Sequence, residues 1–448
     1  MNNLCFCSLT GDVITKCSPY YEEARQLWNI SVQKYPIAIV YCKNNEDVRN
    51  AVLFAQKECV EIRVRAGGHN YEGYSSGDCV LVIDVSQLKS IDINTNENTV
   101  TIGSGVTNGM LYNYLGNLNY PFPGGTCPSV CLSGYALGGG WGLSARKFGL
   151  GCDSLLEVQL INYKGELIVV NNFVNSDLFW SIKGCGGGNY GVVVSLKFNL
   201  PQQVSTVTLF NINYSNIGLN EQISFFKTWQ NWITTTSNDI NARGSIFNSS
   251  EDGKGISLLG ISYKNLEETK ELLNPFLLRN NASLYIKEVS FLEAINEIGA
   301  IYPSYDYFIS SGRFVNRYFL DYEINKMLDI INQVRPIGSE SISINFYGLG
   351  GIVSDVGKFD TAFYYRDSYY ILSLGTGFIN NNYKVYSDEW FYSNFKYIQS
   401  LTNGSYVNFP YNRLCNYKCD YYGENVYRLE YVKKKYDPCN IFTFQQGI

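Results

Sequence analysis

The stretch SDLFWSIKGCGGGNYGVVVSLKF, residues 176–198, decides the fold. It contains Gly186-x-Gly188-x-x-Gly191, formally the glycine spacing of a dinucleotide-binding loop. That motif works where a strand enters the loop and a helix leaves it, because the helix N-terminus receives the pyrophosphate. Here the order is reversed. SDLFWSIKG reads as helix, and the β-branched run VVVSLKF after Gly191 reads as strand. A Rossmann domain is rejected on that ground. The glycines keep a use all the same: without Cβ the backbone can approach an anion such as a pyrophosphate and point successive N–H groups at it.

Two more glycine-rich stretches lie upstream, RAGGHN (65–70) and PGGTCPSVCLSGYALGGGWG (123–142). One such loop is explained by turns alone. Three in one region are harder to explain so, since glycine carries an entropic cost unless a conformation needs it. The first stretch holds His69, the only histidine in 448 residues. The second holds Cys127, in Gly125-Thr126-Cys127-Pro128. A thiol set between glycines and proline is accessible, and nearby backbone N–H groups favour its thiolate. On the residues alone two readings stay open for each: a reactive group, or an ordinary polar loop or turn side chain.

The chain is long enough for two or three domains. Apolar residues make up 45% and charged residues 17%, which implies a sizeable core rather than disorder. A net charge of −5 gives no electrostatic footprint for nucleic acid or an anionic membrane. The start, MNNLCFCSLTGD, has neither a basic nor an apolar signal region, and no run of about 18 apolar residues exists. No secretory signal or spanning helix is expected, which leaves the cytoplasm as the default location. Most of the 13 cysteines are then expected as small buried hydrophobes rather than a disulfide framework. The short pairs Cys127/Cys131 and Cys415/Cys419 lack the partners a zinc site needs, so no metal is expected. The 37 tyrosines fit core and surface, or a ring-lined site for sugars or aromatic ligands.

The first 200 or so residues alternate helix and strand signals. Residues 45–57 show helical spacing, with Asn45 as the N-cap, and strands are expected in EIRVRAGG, CVLVIDVS, NTVTIGSG, LLEVQLINY and GVVVSLKFNL. Pro201 closes this region. STVTLFNIN and SISINFY then alternate strictly, with helices expected at 220–236 and 266–278. That pattern predicts an α+β unit with helices on one face of an antiparallel sheet. The tail begins with a helix carrying Val426, Leu429 and Val432 and stops at Pro438.

RVRAGGHNYEGYSS, PGGTCPSVCLSGYALGGGWG, DLFWSIKGCGGGNYGVV and the C-terminal YYGENVYRLEYVKKKYDPCNIFTFQQGI together resemble the berberine-bridge-enzyme-like oxidoreductases. These belong to the vanillyl-alcohol oxidase flavoprotein superfamily, and the resemblance covers nearly the whole chain. It implies an α+β, two-domain PCMH-type FAD-binding fold: an FAD-binding domain over 1–201 (core about 32–201), a substrate domain over 202–412 with an antiparallel sheet flanked by helices, and a segment 413–448 returning to the FAD domain. It implies FAD bound through two covalent links, from His69 to the 8α-methyl group and from Cys127 to carbon 6. Further cofactor contacts are implied for Arg65, Gly67, Gly68, Asn70, Gly125, Gly134, Gly138, Gly139, Gly142, Gly188, Asn189, Gly191 and Val193. Val130 matches a small residue beside the flavin in members that use oxygen, and Tyr71 a substrate-contacting tyrosine of carbohydrate oxidases.

The chain also departs from the family. The usual tyrosine base, the last residue of Tyr-x-Asn-Tyr, is Phe409 here, and a carboxylate found in other members is replaced by Tyr347. The candidates for the base are Tyr71, Tyr347 and Tyr411, the last on the assumption that residues 409 and 411 share one face of a strand. The expectation is an FAD oxidase that passes a hydride from a small alcohol-type substrate, a sugar or a secondary metabolite, to flavin and reduces dioxygen to hydrogen peroxide. The rival, favoured by Phe409, is a flavin-loaded structural or coat protein with little turnover.

Overall fold

A computed structural model describes residues 4–277 and 282–448. The N-terminal part contains two sheets. In the first, strand Leu81–Asp84 runs parallel to Ile62–Arg65 on one side and Ala38–Tyr41 on the other, with Asp12–Thr15 antiparallel at the edge. All of LVID is buried, as a central parallel strand must be. The helix Asn45–Lys57 makes the crossover between Ala38–Tyr41 and Ile62–Arg65, the two strands that flank Leu81–Asp84, and buries Val48, Ala51, Val52 and Ala55. Its N-cap is Asn44, whose side chain accepts from Asp47 N, and not Asn45 as expected from the sequence.

The second sheet is antiparallel, in the order Ile91–Asn94, Thr99–Gly103, Val192–Asn199, Leu155–Ile161, Leu167–Asn171. The strand that follows the third glycine loop is therefore its centre. Helix Ser176–Ile182 precedes that loop, so the helix–loop–strand order read from the sequence holds.

The third sheet has eight antiparallel strands, ordered Ala282–Val289, Val207–Ser215, Gly253–Ser262, Ile240–Ser249, Ser339–Gly348, Tyr370–Phe378, Phe308–Val315, Asn403–Ser405. Strand Ser339–Gly348 alternates buried and less buried residues along its length. The helix expected at 220–236 is Leu219–Thr235 and buries Phe226, Trp229 and Ile233. Trp229 and Phe226 meet Phe346 of the sheet. The second expected helix is Leu266–Leu277; residue 278, its expected end, lies outside the described residues. The helices not anticipated include Asn108–Gly116, Phe291–Gly299, Asp321–Asn332 and Lys384–Leu401.

The C-terminal helix Val426–Tyr436 returns to the N-terminal part and ends just before Pro438. Its buried Lys433 donates to the carbonyls of Asn189 and Phe442 and to the Asp437 carboxylate. Tyr422 donates to Cys185 O. Tail and third glycine loop thus hold each other.

The cysteine expectation fails in part. Only Cys42, Cys131, Cys152 and Cys185 are buried, while Cys17, Cys59, Cys79, Cys415, Cys419 and Cys439 are exposed. Cys5 and Cys7 form a disulfide. Polar loops, not the core, hold most of these thiols. Among the described residues no helix is long and apolar enough to cross a membrane.

Candidate active site

All three glycine stretches open onto one cavity between the N-terminal sheets, the eight-stranded sheet and the tail. Strand Ile62–Arg65 leads into it. Buried Arg65 ends that strand by pairing with Asp84, its register partner on the neighbouring strand, and by donating to Ala24 O. The chain then turns at Gly68, whose φ of +67° suits glycine. His69 follows, on the cavity wall. Its ring stacks on Trp28 with centroids 5.1 Å apart. Burial pushes the imidazole pKa down to about 4, opposed by the contact with Ser129, so the ring is neutral at neutral pH.

The second stretch brings Cys127 to the same wall. Asn108 clamps this loop from both sides: its Oδ1 accepts from Gly125 N at 3.1 Å and its Nδ2 donates to Cys127 O at 3.1 Å. The hydroxyl of Ser129 lies 3.0 Å from His69 Nε2 and 3.5 Å from Cys127 Sγ. The only histidine and this cysteine are thus joined through one hydroxyl. With Nε2 engaged, Nδ1 of His69 has no hydrogen-bond partner among the described residues.

Gly67, Gly68, Asn70, Gly125, Gly134, Gly188, Gly191, Val193 and Val130 line the cavity. Five expected cofactor contacts do not. Arg65 is spent on Asp84. Gly138 faces the Asn408 side chain, Gly139 packs on Phe363, and Gly142 lies against the carbonyl of Gly124; each is glycine because protein, not ligand, sits where a Cβ would be. Asn189 turns its amide to the carbonyls of Cys185 and Gly186 and accepts from Ile448 N.

The opposite end of the cavity is aromatic. Tyr71 stacks on Phe409 at 5.3 Å with the rings 7° from parallel. Tyr347 meets Phe409 at 5.3 Å and Trp141 at 4.9 Å. Tyr71 and Tyr347 both line the cavity, and burial raises the pKa of both phenols; at Tyr347 the charge of Arg243 opposes the rise. Tyr411 does not belong here. It is absent from the wall, and its ring packs between Phe391 and Phe395 of a helix. Residues 406–411 form a turn, not a strand, with Phe409 N bonded to Tyr406 O, so two-residue spacing does not give a common face.

Sequence reasoning missed Ser129, Asn108, Arg243, Tyr302 and Tyr406. The phenolic oxygen of Tyr406 accepts from Gly140 N, Trp141 N and Asn408 Nδ2 at 3.0–3.1 Å. Burial raises its pKa to about 12 against the pull of those three donors. Arg243 donates to the Tyr302 hydroxyl, which also bonds Thr126 Oγ1 at 2.6 Å. Arg243 is the one ionisable side chain of its strand, the only signal that marked it.

The arrangement fits a flavin dinucleotide. A Cβ on Gly134 would meet no protein atom, so the cavity there is kept open for something else. Tyr74 and Ser75 line the cavity with buried hydroxyls that have no partner among the described residues. Residues 36–171 match the family model of the FAD binding domain, and residues 405–448 that of berberine and berberine-like proteins. The chain is 34% identical to an uncharacterized FAD-linked oxidoreductase, YgaK of Bacillus subtilis, over 98% of this chain and 97% of that one. Its fold matches Physcomitrella patens BBE-like 1 with a TM-score of 0.90 at 28% identity, covering 99% and 97% of the two chains. It also matches glucooligosaccharide oxidase of Acremonium strictum, TM-score 0.87 at 22% identity over 98% and 96%, a protein described with 6-S-cysteinyl, 8α-N1-histidyl FAD. The chain belongs to the berberine bridge enzyme-like family of FAD-linked oxidoreductases.

Proposed function

We propose that this enzyme is an oxidase that carries FAD on two covalent links, at His69 and Cys127, and oxidises a small alcohol-type donor with dioxygen as acceptor. The observation that carries the reading is the Ser129 hydroxyl, within reach of both attachment groups on one cavity wall. The linkage named for glucooligosaccharide oxidase uses the same pair of residue types. A neutral imidazole with Nε2 held by Ser129 presents Nδ1 as the nucleophile. Each attachment removes one hydrogen from the flavin and one from the residue, and the two electrons leave to dioxygen.

Bound FAD would accept a hydride from the substrate carbon and pass the two electrons to dioxygen, giving hydrogen peroxide. The chain's own residues do the rest. The glycines at 67, 68, 134 and 186–188, with Tyr74 and Ser75, hold the cofactor. Tyr71, Phe409 and Trp141 exclude water and present ring faces to the substrate. Tyr347 takes the hydroxyl proton, with the Arg243 charge favouring its phenolate. Val130 keeps the wall beside Cys127 low enough for dioxygen. In domain terms, residues 1–201 bind FAD, 202–412 bind substrate and 413–448 close the FAD domain. Alcohols of sugar or secondary-metabolite type are the substrate class.

The direct test is acid precipitation followed by peptide mass spectrometry. A yellow precipitate with one flavin joining the peptides of His69 and Cys127 is expected; release of all the flavin into the supernatant refutes the linkage. Phe409, in place of a phenol, supports a second reading: a flavin-bearing structural protein with little turnover. Anaerobic mixing with sugars and aromatic alcohols separates the two, since bleaching near ~450 nm, where oxidised flavin absorbs, requires turnover.

A further inference from the structure

Among the described residues, two charged side chains line the cavity, Arg63 and Arg243, and no Asp, Glu or Lys does so. Arg63 is spoken for: it donates to the carbonyls of Ile62 and Thr443 and pairs with Glu61. Arg243 is not. Its one hydrogen bond among the described residues goes to the Tyr302 hydroxyl, and its guanidinium lies 5.2 Å from the centre of that ring. No carboxylate pairs with it among the described residues. A guanidinium has five donors, so most of them are left for something in the cavity. Arg243 is half-buried on the cavity wall, and an anion bound there would meet its charge with little competition from bulk water.

The setting says what kind of anion. Arg243 lies on strand Ile240–Ser249, directly opposite Tyr347 on strand Ser339–Gly348. Tyr347 in turn touches Phe409 and Trp141. Tyr302, through Thr126, connects the guanidinium to the loop that carries Cys127. The charge therefore stands at the aromatic end of the cavity, on the eight-stranded sheet, and not at the glycine cradle near Arg63. One guanidinium matches one negative charge, and its planar fork matches a carboxylate. A phosphate dianion would call for a second cation that this end does not have among the described residues.

We propose that the physiological substrate is an acid: it carries a carboxylate that Arg243 holds, with Tyr302 steadying the guanidinium and the rings of Tyr71, Phe409 and Tyr347 covering the substrate's body. The inference rests on the reading of this cavity as the substrate site. It makes Arg243 the specificity-determining residue.

The test is calorimetric titration of the purified holoenzyme with two matched pairs, benzoate against benzamide and glucuronate against glucose. Expected is a preference for the acid of at least one pair by about tenfold to a hundredfold, the worth of a charge-assisted hydrogen bond. Arg243→Gln should abolish the preference. Arg243→Lys, which keeps the charge and loses the fork, should reduce it about threefold or more. A wild type with no acid preference in either pair overturns the proposal. So does a preference that survives unchanged in a folded Gln variant or, if that variant does not fold, in the Lys variant. The heat of binding is measured independently of flavin colour. A colourless protein that still prefers the acid would refute the oxidase reading and leave this one standing.

Discussion

The Ser129 hydroxyl lies 3.0 Å from Nε2 of His69, 60 residues away in sequence. It is also 3.5 Å from the thiol of Cys127. On the proposed double linkage, its removal should disturb both attachment steps and little else. Ser129→Ala loses one hydrogen bond to each group, worth about 1 kcal/mol, so attachment should slow about fivefold. Intact-mass analysis of freshly expressed protein should show a larger share of unlinked flavin. A fully linked variant formed at the wild-type rate would remove Ser129 from the process.

The His69 imidazole titrates at about 4 instead of the usual 6.5, because burial disfavours its charged form. A lowered pKa means that the unfolded chain binds the proton more readily. This group's contribution to stability is therefore complete above about pH 6.5 and is lost as pH falls towards 4. Attachment should follow the neutral ring. Apoprotein from riboflavin-starved cells, mixed with FAD, should link it at His69 at one rate between about pH 8 and 6 and lose rate only as pH approaches 4. A midpoint near 6.5 would mean that the imidazole is not shielded.

Lys433 is buried against Asp437 and two carbonyls, one of them in the third glycine loop. Lys433→Met leaves the Asp437 carboxylate buried without its cation. The expected cost is about 3–5 kcal/mol, read from the urea midpoint. Replacing Asp437 as well, with Leu, should recover much of the loss. An equal destabilisation in single and double variants would show that the carbonyl contacts, not the charge, matter.

What was legible in the sequence, and what was not, divides by distance along the chain. The helix–loop–strand order at 176–198 is local, so the sequence alone could exclude a Rossmann domain. Clustered glycines mark the loops that reach the cavity, and Gly67, Gly68 and Gly134 line it. Gly138, Gly139 and Gly142 look the same in sequence but are glycine for a different reason, close packing against Asn408, Phe363 and Gly124. Spacing cannot tell the two apart. Nor could it find Arg243 and Tyr302, whose meeting depends on how a strand and a loop 59 residues apart pack together. Tyr411 was misplaced by assuming a strand where the chain makes a turn.

Val130 lines the cavity three residues after Cys127. Val130→Leu adds one methylene towards the cavity. In stopped-flow experiments the oxidative half-reaction should slow by about tenfold or more while reduction by substrate is spared, since the two steps have separate barriers. Equal oxidative rates would show that dioxygen takes another path.

Of the candidates proposed for the base, Tyr347 and Tyr71 line the cavity and Tyr411 does not. Phe409 cannot accept a proton, and Tyr411 faces a helix. Tyr71 is stacked flat on Phe409, and no cation offsets the effect of its burial, whereas Tyr347 stands across the strand pair from Arg243. Burial raises both phenols, so at neutral pH only a small fraction of either is ionised. Activity that depends on the phenolate should therefore still climb between about pH 8 and 10, the ordinary tyrosine value. Tyr347→Phe should lower turnover by about 100-fold to 10,000-fold and flatten that alkaline rise, with flavin attachment unchanged. Tyr71→Phe should act mainly on KM, and Tyr411→Phe on neither. Phe409→Tyr places a third phenol between those of Tyr71 and Tyr347. A rate gain there, with the alkaline rise shifted to lower pH, would mean that position 409 offers the better base and that this chain works without it. Full activity in the Tyr347→Phe enzyme would end the case for Tyr347 as the proton acceptor.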